Sequence, residues 1–357
     1  MKSHDRLPDW AYRACPMPSD KDRQAAMIRQ SQLTKPAGAL GRLETLAVEL
    51  ASLQATERPR AACVPIVIFA GDHGIVAQGI SAYPQEVTIA MMANFAAGGA
   101  AISVMARQLG SRLEVVDVGS LAQHSVSGVV TDKPRCGSRD FSQTTALDLD
   151  HVSFAFEAGQ RAFARLQPDK PDLVILGEMG IGNTTSSAAV AAVLLGVPAS
   201  AVTGAGTGLD PDSRARKASI IEAAIGKHGL RDPKVSVEQV FTAVGGLEIA
   251  ALCGATIAAA QAGVPILIDG FIASVAALAA TRLSKSCRPY LIFAHRSAED
   301  GHRRVLEALN AQPLLDLALR LGEGSGAAIA LPLLRAACAL HNDMATFSEA
   351  AVPDRAH

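Results

Sequence analysis

Aromatic residues make up only 4% of the chain, with one tryptophan and three tyrosines in 357 residues. A core without them is filled by small side chains, which predicts alanine-rich helices packed closely on a sheet. An excess of one charge is also lacking: 33 Lys and Arg stand against 34 Asp and Glu, a formal net charge of -1. No basic run interleaves with aromatics, so a nucleic-acid partner is not expected and a small-molecule substrate is. The six cysteines, Cys15, Cys63, Cys136, Cys253, Cys287 and Cys338, form no C-x-x-C pair. This scatter reads as reduced thiols in a cytoplasmic protein. The first twenty residues have no apolar signal-like core. Apolar stretches such as 188–197 are too short to span a bilayer, so no membrane association is expected.

Several chemical signatures are missing. No Gly-Lys-Ser/Thr closes a Walker A loop, and no G-x-G-x-x-G opens the first strand's turn. No G-x-S-x-G elbow is present, so covalent catalysis is not indicated. The stretch from His295 to His302 lacks H-E-x-x-H spacing and contains Arg296, so neither a metal nor a cofactor is expected.

Short β-branched runs, each ending in glycine or polar residues, are present instead. They cover 64–69, 113–118, 173–176, 264–268 and 290–293, and 113–118 is the weakest because Glu114 and Asp117 interrupt it. Apolar runs of this kind predict strands buried on both faces. Alanine-rich helical stretches at 186–195, 249–261 and 274–283 lie between them. The alternation predicts an α/β fold: a doubly wound, mainly parallel sheet of five or six strands flanked by helices. Residues 56–303 are assigned to this Rossmann-like domain. Residues 1–55 and 304–357 read as a smaller helical subdomain built from both termini. The polar segment 123–150 reads as a surface excursion.

The polar clusters all fall at predicted carboxyl ends of strands. The strongest runs Gly177-Glu178-Met179-Gly180-Ile181-Gly182-Asn183-Thr184-Thr185, leaving a strand and entering a helix. Glycines admit close approach to the backbone, and a helix start offers free N–H groups to an anion. A tight turn without a ligand is the alternative. Gly204 to Gly208, followed by Lys217, reads either as a second phosphate wall or as a loop before a solvated helix lysine. Glu323, between Gly322 and Gly324, reads as a general base reaching into a cleft or as a loop glutamate in water. Asp72 and His73 read as catalytic, metal-binding or hydrogen-bonded strand-end residues, the last being favoured. Asp269 reaches a ribose hydroxyl or caps the next helix.

Taken in order, these motifs resemble the nicotinate-nucleotide–dimethylbenzimidazole phosphoribosyltransferase family. The matching stretches are Lys35-Pro36-Ala37-Gly38-Ala39-Leu40-Gly41-Arg42-Leu43, Phe69-Ala70-Gly71-Asp72-His73-Gly74, Tyr83-Pro84-Gln85-Glu86 and Glu178 to Thr185. They continue with Gly245-Gly246-Leu247-Glu248, Asp269-Gly270-Phe271, Ala294-His295-Arg296-Ser297 and Glu323-Gly324-Ser325-Gly326. The match covers roughly residues 30–340. Ala37 and Ala39 depart from the family's more usual Pro and Ser.

The resemblance implies transfer of phosphoribose from nicotinate mononucleotide to 5,6-dimethylbenzimidazole, with inversion at C1′ and no metal. It implies Glu323 as the base and Glu178 as a second carboxylate near the ribose. Gly180, Gly182, Asn183, Thr184 and Thr185, with Gly206 and Lys217, would hold the phosphate. Ser81, Tyr83 and Met179 would line the azole pocket, and Ser297 would touch substrate. It also implies a homodimer. A nucleosidase, a transferase for another azole and a nucleotide-binding module remain alternative readings.

Overall fold

The computed structural model describes residues 6–204, 206 and 210–353. Six strands form one parallel sheet in the order β3-β2-β1-β4-β5-β6. They are β1 (Ile66–Gly71), β2 (Leu113–Gly119), β3 (Val130–Thr131), β4 (Val174–Met179), β5 (Ile266–Ile268) and β6 (Leu291–Phe293). This is the doubly wound order, and the chain reverses its direction of winding between β1 and β4.

Among the described residues, twelve α-helices accompany the sheet. They begin with α1 (Asp20–Gln32), α2 (Arg42–Leu53), α3 (Glu86–Ala97), α4 (Ala101–Leu109), α5 (Leu149–Leu166) and α6 (Asn183–Leu195). They continue with α7 (Pro211–Lys227), α8 (Val237–Val244), α9 (Leu247–Gln261), α10 (Phe271–Leu283), α11 (Asp300–Ala308) and α12 (Ser325–Asp343).

The sheet divides the core in two. Val67 and Phe69 of β1 face a layer that includes α5, α9 and α10. Ile66, Ile68 and Ala70 face the opposite layer, where α2, α4 and α12 pack. The period of two survives although both faces are apolar, which is why these strands read as unbroken hydrophobic runs. Alanine fills the contacts: almost every residue of α9 is buried.

The segment 123–150 departs from the expected surface excursion. Val130–Thr131 pairs with Val116 and Asp117 as the sixth strand, too short to give a periodic signal. The chain after Arg304 is not continuously helical either. Residues 309–324 lie between α11 and α12 and carry Glu323. The apolar stretch from Glu86 to Leu109 is broken at Gly98, whose φ is 86°. Neither α3 nor α4 reaches the ~20 residues a membrane span needs.

Candidate active site

The strands end on one polar edge. β1 runs into Asp72 and His73, β4 ends on Glu178 and Met179, and β5 and β6 lead into Asp269 and His295. In open α/β sheets ligands bind beyond these carboxyl ends, at the point where winding reverses. A cavity of about 710 Å³ lies there. It is bordered by β4 and its turn, by the segments after β5 and β6, and by 318–323.

The turn after β4 is held from behind. Thr88 Oγ1 accepts from Ile181 N at 3.1 Å and donates to Asp72 Oδ1 at 2.6 Å. Asp72 Oδ2 accepts from Leu121 N at 2.9 Å. His73 is fully buried between Ser186 Oγ at 3.0 Å and Glu248 Oε1 at 2.7 Å. Both strand-end residues therefore hold the edge together, as read from sequence. Gly182 caps α6; Asn183 N donates to Gly180 O at 3.1 Å and Thr185 N to Gly182 O at 3.0 Å, which leaves the Thr184 N–H at the helix start without a backbone acceptor among the described residues.

Glu323 sits on unusual backbone. Gly322, Glu323 and Gly324 have φ of 83°, 63° and 76°. Two of the three are glycine, and Glu323 bears the steric cost of the left-handed conformation. Asp269 fixes this turn: it accepts from Gly324 N at 3.2 Å and from Ala327 N at 2.8 Å. It caps α12 rather than the helix that follows it, and it also borders the cavity. Gly177 completes the seat, because a Cβ there would lie 2.6 Å from Glu323 C and Gly324 N.

The Glu323 side chain borders the cavity but is only 5% exposed, so it is no loop glutamate in water. Among the described residues its Oε2 has no hydrogen-bond partner. Burial, then the Asp269 charge, raises its pKa to about 7. Glu178 is pushed well above the ordinary range by burial and by Glu248, Asp269 and Glu323. Asn183 Nδ2 donates to its Oε2.

A cationic end faces these acids. Lys217 is 1% exposed and donates to Thr184 Oγ1 at 2.8 Å, which contradicts the solvated reading. Desolvation lowers its pKa to about 8, with the Glu299 charge opposing. Gly206 lies against Thr184 and Lys217, and Arg320 donates to its carbonyl at 3.3 Å. Ala205, Thr207 and Gly208 of this glycine cluster lie outside the described residues.

Known proteins resemble the chain along almost its whole length. A family model described as phosphoribosyltransferase matches residues 15–352. A Bradyrhizobium diazoefficiens protein named nicotinate-nucleotide–dimethylbenzimidazole phosphoribosyltransferase is 68% identical over 349 residues, covering 98% of this chain and 99% of its own. The Pseudomonas aeruginosa PAO1 protein of that name is 53% identical, covering 97% and 98%. A solved structure of the Thermus thermophilus protein of that name has a TM-score of 0.89 at 40% identity, covering 94% of this chain and 100% of its own. The chain belongs to the nicotinate-nucleotide–dimethylbenzimidazole phosphoribosyltransferase family.

In this phosphoribosyltransferase the cavity gathers Tyr83, Glu178, Met179, Gly180, Asn183, Thr184, Gly206, Ser297 and Glu323. Four residues singled out in the sequence stand behind it. Gly182 packs on His73 and Val76, and Thr185 is buried with its hydroxyl unpartnered among the described residues. Lys217 reaches forward only through Thr184. Ser81 accepts from Tyr83 N at 3.2 Å and donates to its carbonyl at 3.0 Å, shaping that loop. Sequence reasoning missed Arg320 and the apolar wall of Val87, Met91, Leu319 and Leu321. Only nearness to Gly322-Glu323-Gly324 marked Arg320. The wall joins segments more than two hundred residues apart and leaves no local pattern.

Proposed function

We propose that the protein converts nicotinate mononucleotide and 5,6-dimethylbenzimidazole to α-ribazole 5′-phosphate and nicotinate. The relatives' names supply the substrate pair. The single observation that carries the mechanism is Glu323, whose buried carboxyl, with Oε2 unpartnered among the described residues, borders the same cavity as Asn183 and Thr184 at the start of α6.

The phosphate is placed at the cationic end, on the N–H and hydroxyl of Thr184 and on Gly206, at the positive start of α6 and with the Lys217 charge behind them. Arg320 has donors left beside its bond to Gly206 O. Hydrogen bonds to a charged group contribute roughly 1.5–3 kcal/mol each, so a few dominate binding of the nucleotide. Glu178, held by Asn183, orients the ribose. The azole lies on the apolar wall near Met179 and Tyr83, and Ser297 touches the nucleotide's base.

Glu323 takes the benzimidazole N–H proton while the other ring nitrogen attacks C1′. The bond to the nicotinate nitrogen breaks, and its electron pair neutralises the cationic ring. Direct displacement inverts C1′ from β to α. A carboxylate with a pKa near the working pH suits a base that must both take and release a proton.

We place this reaction in the cytoplasm, in a homodimer that covers exposed Met27, Ile28 and Leu317. We also propose that 1–55 and 304–357 act as a helical unit beside 56–303, in keeping with the packing of α2 on α1 and α12.

The test is mass balance. Purified protein with both substrates and no added metal is expected to form nicotinate and a ribazole phosphate in equal amounts, with an α anomer by proton NMR. Nicotinate without ribazole phosphate would establish a nucleosidase instead, and a β product would refute single displacement.

A further inference from the structure

A second cavity, of about 340 Å³, lies beside β6, the strand at the sheet's edge, and shares no lining residue with the first. Three guanidinium side chains line it: Arg23 of α1, Arg42 of α2 and Arg288 just before β6. Among the described residues its only carboxylate is Glu49.

That carboxylate is already engaged. Arg42 binds it through Nη1 to Oε1 at 2.7 Å and Nη2 to Oε2 at 2.9 Å. Arg288 donates instead to the carbonyls of Leu309 at 2.5 Å, Leu291 at 3.2 Å and Asn310 at 2.8 Å. Its guanidinium carbon lies 5.2 Å from the Phe293 ring centroid. A guanidinium has five N–H donors, so three bonds leave two free. Among the described residues, the Arg23 side chain has no hydrogen-bond or ion-pair partner, and it is only partly exposed. Asn310 and Gln312 add amide donors at the rim.

The lining therefore carries three positive charges against one negative. Arg288 is held on three neutral acceptors, half-buried, and the one carboxylate whose charge reaches it, Glu49, is already bound to Arg42, so the excess charge of the lining is left for another group to balance. Fixed guanidinium donors beside amides match the geometry of a phosphate oxygen face. The cavity is too small for a macromolecular segment and ample for one phosphate group.

We propose that this cavity is a second anion site, separate from the catalytic one, which takes a phosphate group, free or on a small ester. Asn310 and Gln312 stand at the root of the segment that leads to Glu323, so an occupant would brace that segment.

The experiment is calorimetric titration of the full-length protein with inorganic phosphate at constant ionic strength. It is run on the wild type, Arg23→Gln, Arg23→Lys and Lys217→Ala. The expected result is a phosphate site that Lys217→Ala retains, that Arg23→Gln weakens by about tenfold, and that Arg23→Lys largely restores. Circular dichroism confirms folding of each variant, and turnover of Arg23→Gln at saturating substrate is expected to match the wild type. Ribose 5-phosphate as second titrant separates the sources: tighter binding identifies an ester site, and equal or weaker binding a site for the free anion. Two results would overturn the proposal: no phosphate binding beyond that lost in Lys217→Ala, or binding indifferent to Arg23→Gln.

Discussion

At the scale of single residues, two opposed pKa shifts set the chemistry. Burial raises Glu323 to about 7 and lowers Lys217 to about 8. The base is ready only above the first value, and the lysine is cationic only below the second. The profile of kcat/KM against pH is therefore expected to rise through about 7 and fall above about 8. A plain rise with no alkaline limb would separate Lys217 from nucleotide recognition. Lys217→Ala is expected to raise the nucleotide KM severalfold and change kcat less, since it removes the positive charge behind Thr184 and the hydrogen bond that holds the Thr184 hydroxyl. An unchanged KM would leave Lys217 a support for Thr184 alone.

At the scale of elements, the site rests on two loops locked together. The backbone of Gly322–Gly324 lies on Gly177 of β4, and Asp269 ties the same turn to the start of α12. A methyl group at Gly177 would push Glu323 out of place. Gly177→Ala is expected to cost about 1–3 kcal/mol of stability, as overpacking does, and to lower kcat with little change in nucleotide affinity. Denaturant melts and steady-state kinetics check both parts; a loss of affinity with kcat intact would misplace the lock. Much of this was legible in sequence. The β4 turn announced itself because strand, glycines and hydroxyl residues are contiguous, and β1, β2, β4, β5 and β6 differ from their sequence bounds by a few residues at most. β3 did not, because two residues carry no period and its pairing is set by the neighbouring β2. Lys217 was ambiguous for a related reason. Its hydrogen-bond partner Thr184 and the nearby Glu299 charge are distant in the chain, and no helical pattern encodes them.

At the scale of the whole molecule, the acids near the cavity weaken the fold. Glu323 holds its proton up to about pH 7 in the folded protein, against about 4.5 for an ordinary glutamate in the unfolded chain. Between those values the folded chain binds more protons than the unfolded one, so stability falls as pH rises across that window. Glu323→Gln removes this penalty. Its melting temperature is expected to match the wild type near pH 4.5 and to exceed it at about pH 8; the reverse order would mean that the charged carboxylate is satisfied in the fold. Light scattering is expected to give a mass twice the 37.0 kDa of the chain, and a monomer would leave the apolar patch of α1 without its proposed cover.

The most direct test of the central claim is a single-turnover reaction of Glu323→Gln with both substrates, alongside its nucleotide affinity. The account predicts near-wild-type binding of nicotinate mononucleotide and a rate of ribazole phosphate formation lower by about 10²–10⁴. Formation within a few-fold of the wild-type rate would contradict it and take the proton transfer away from Glu323.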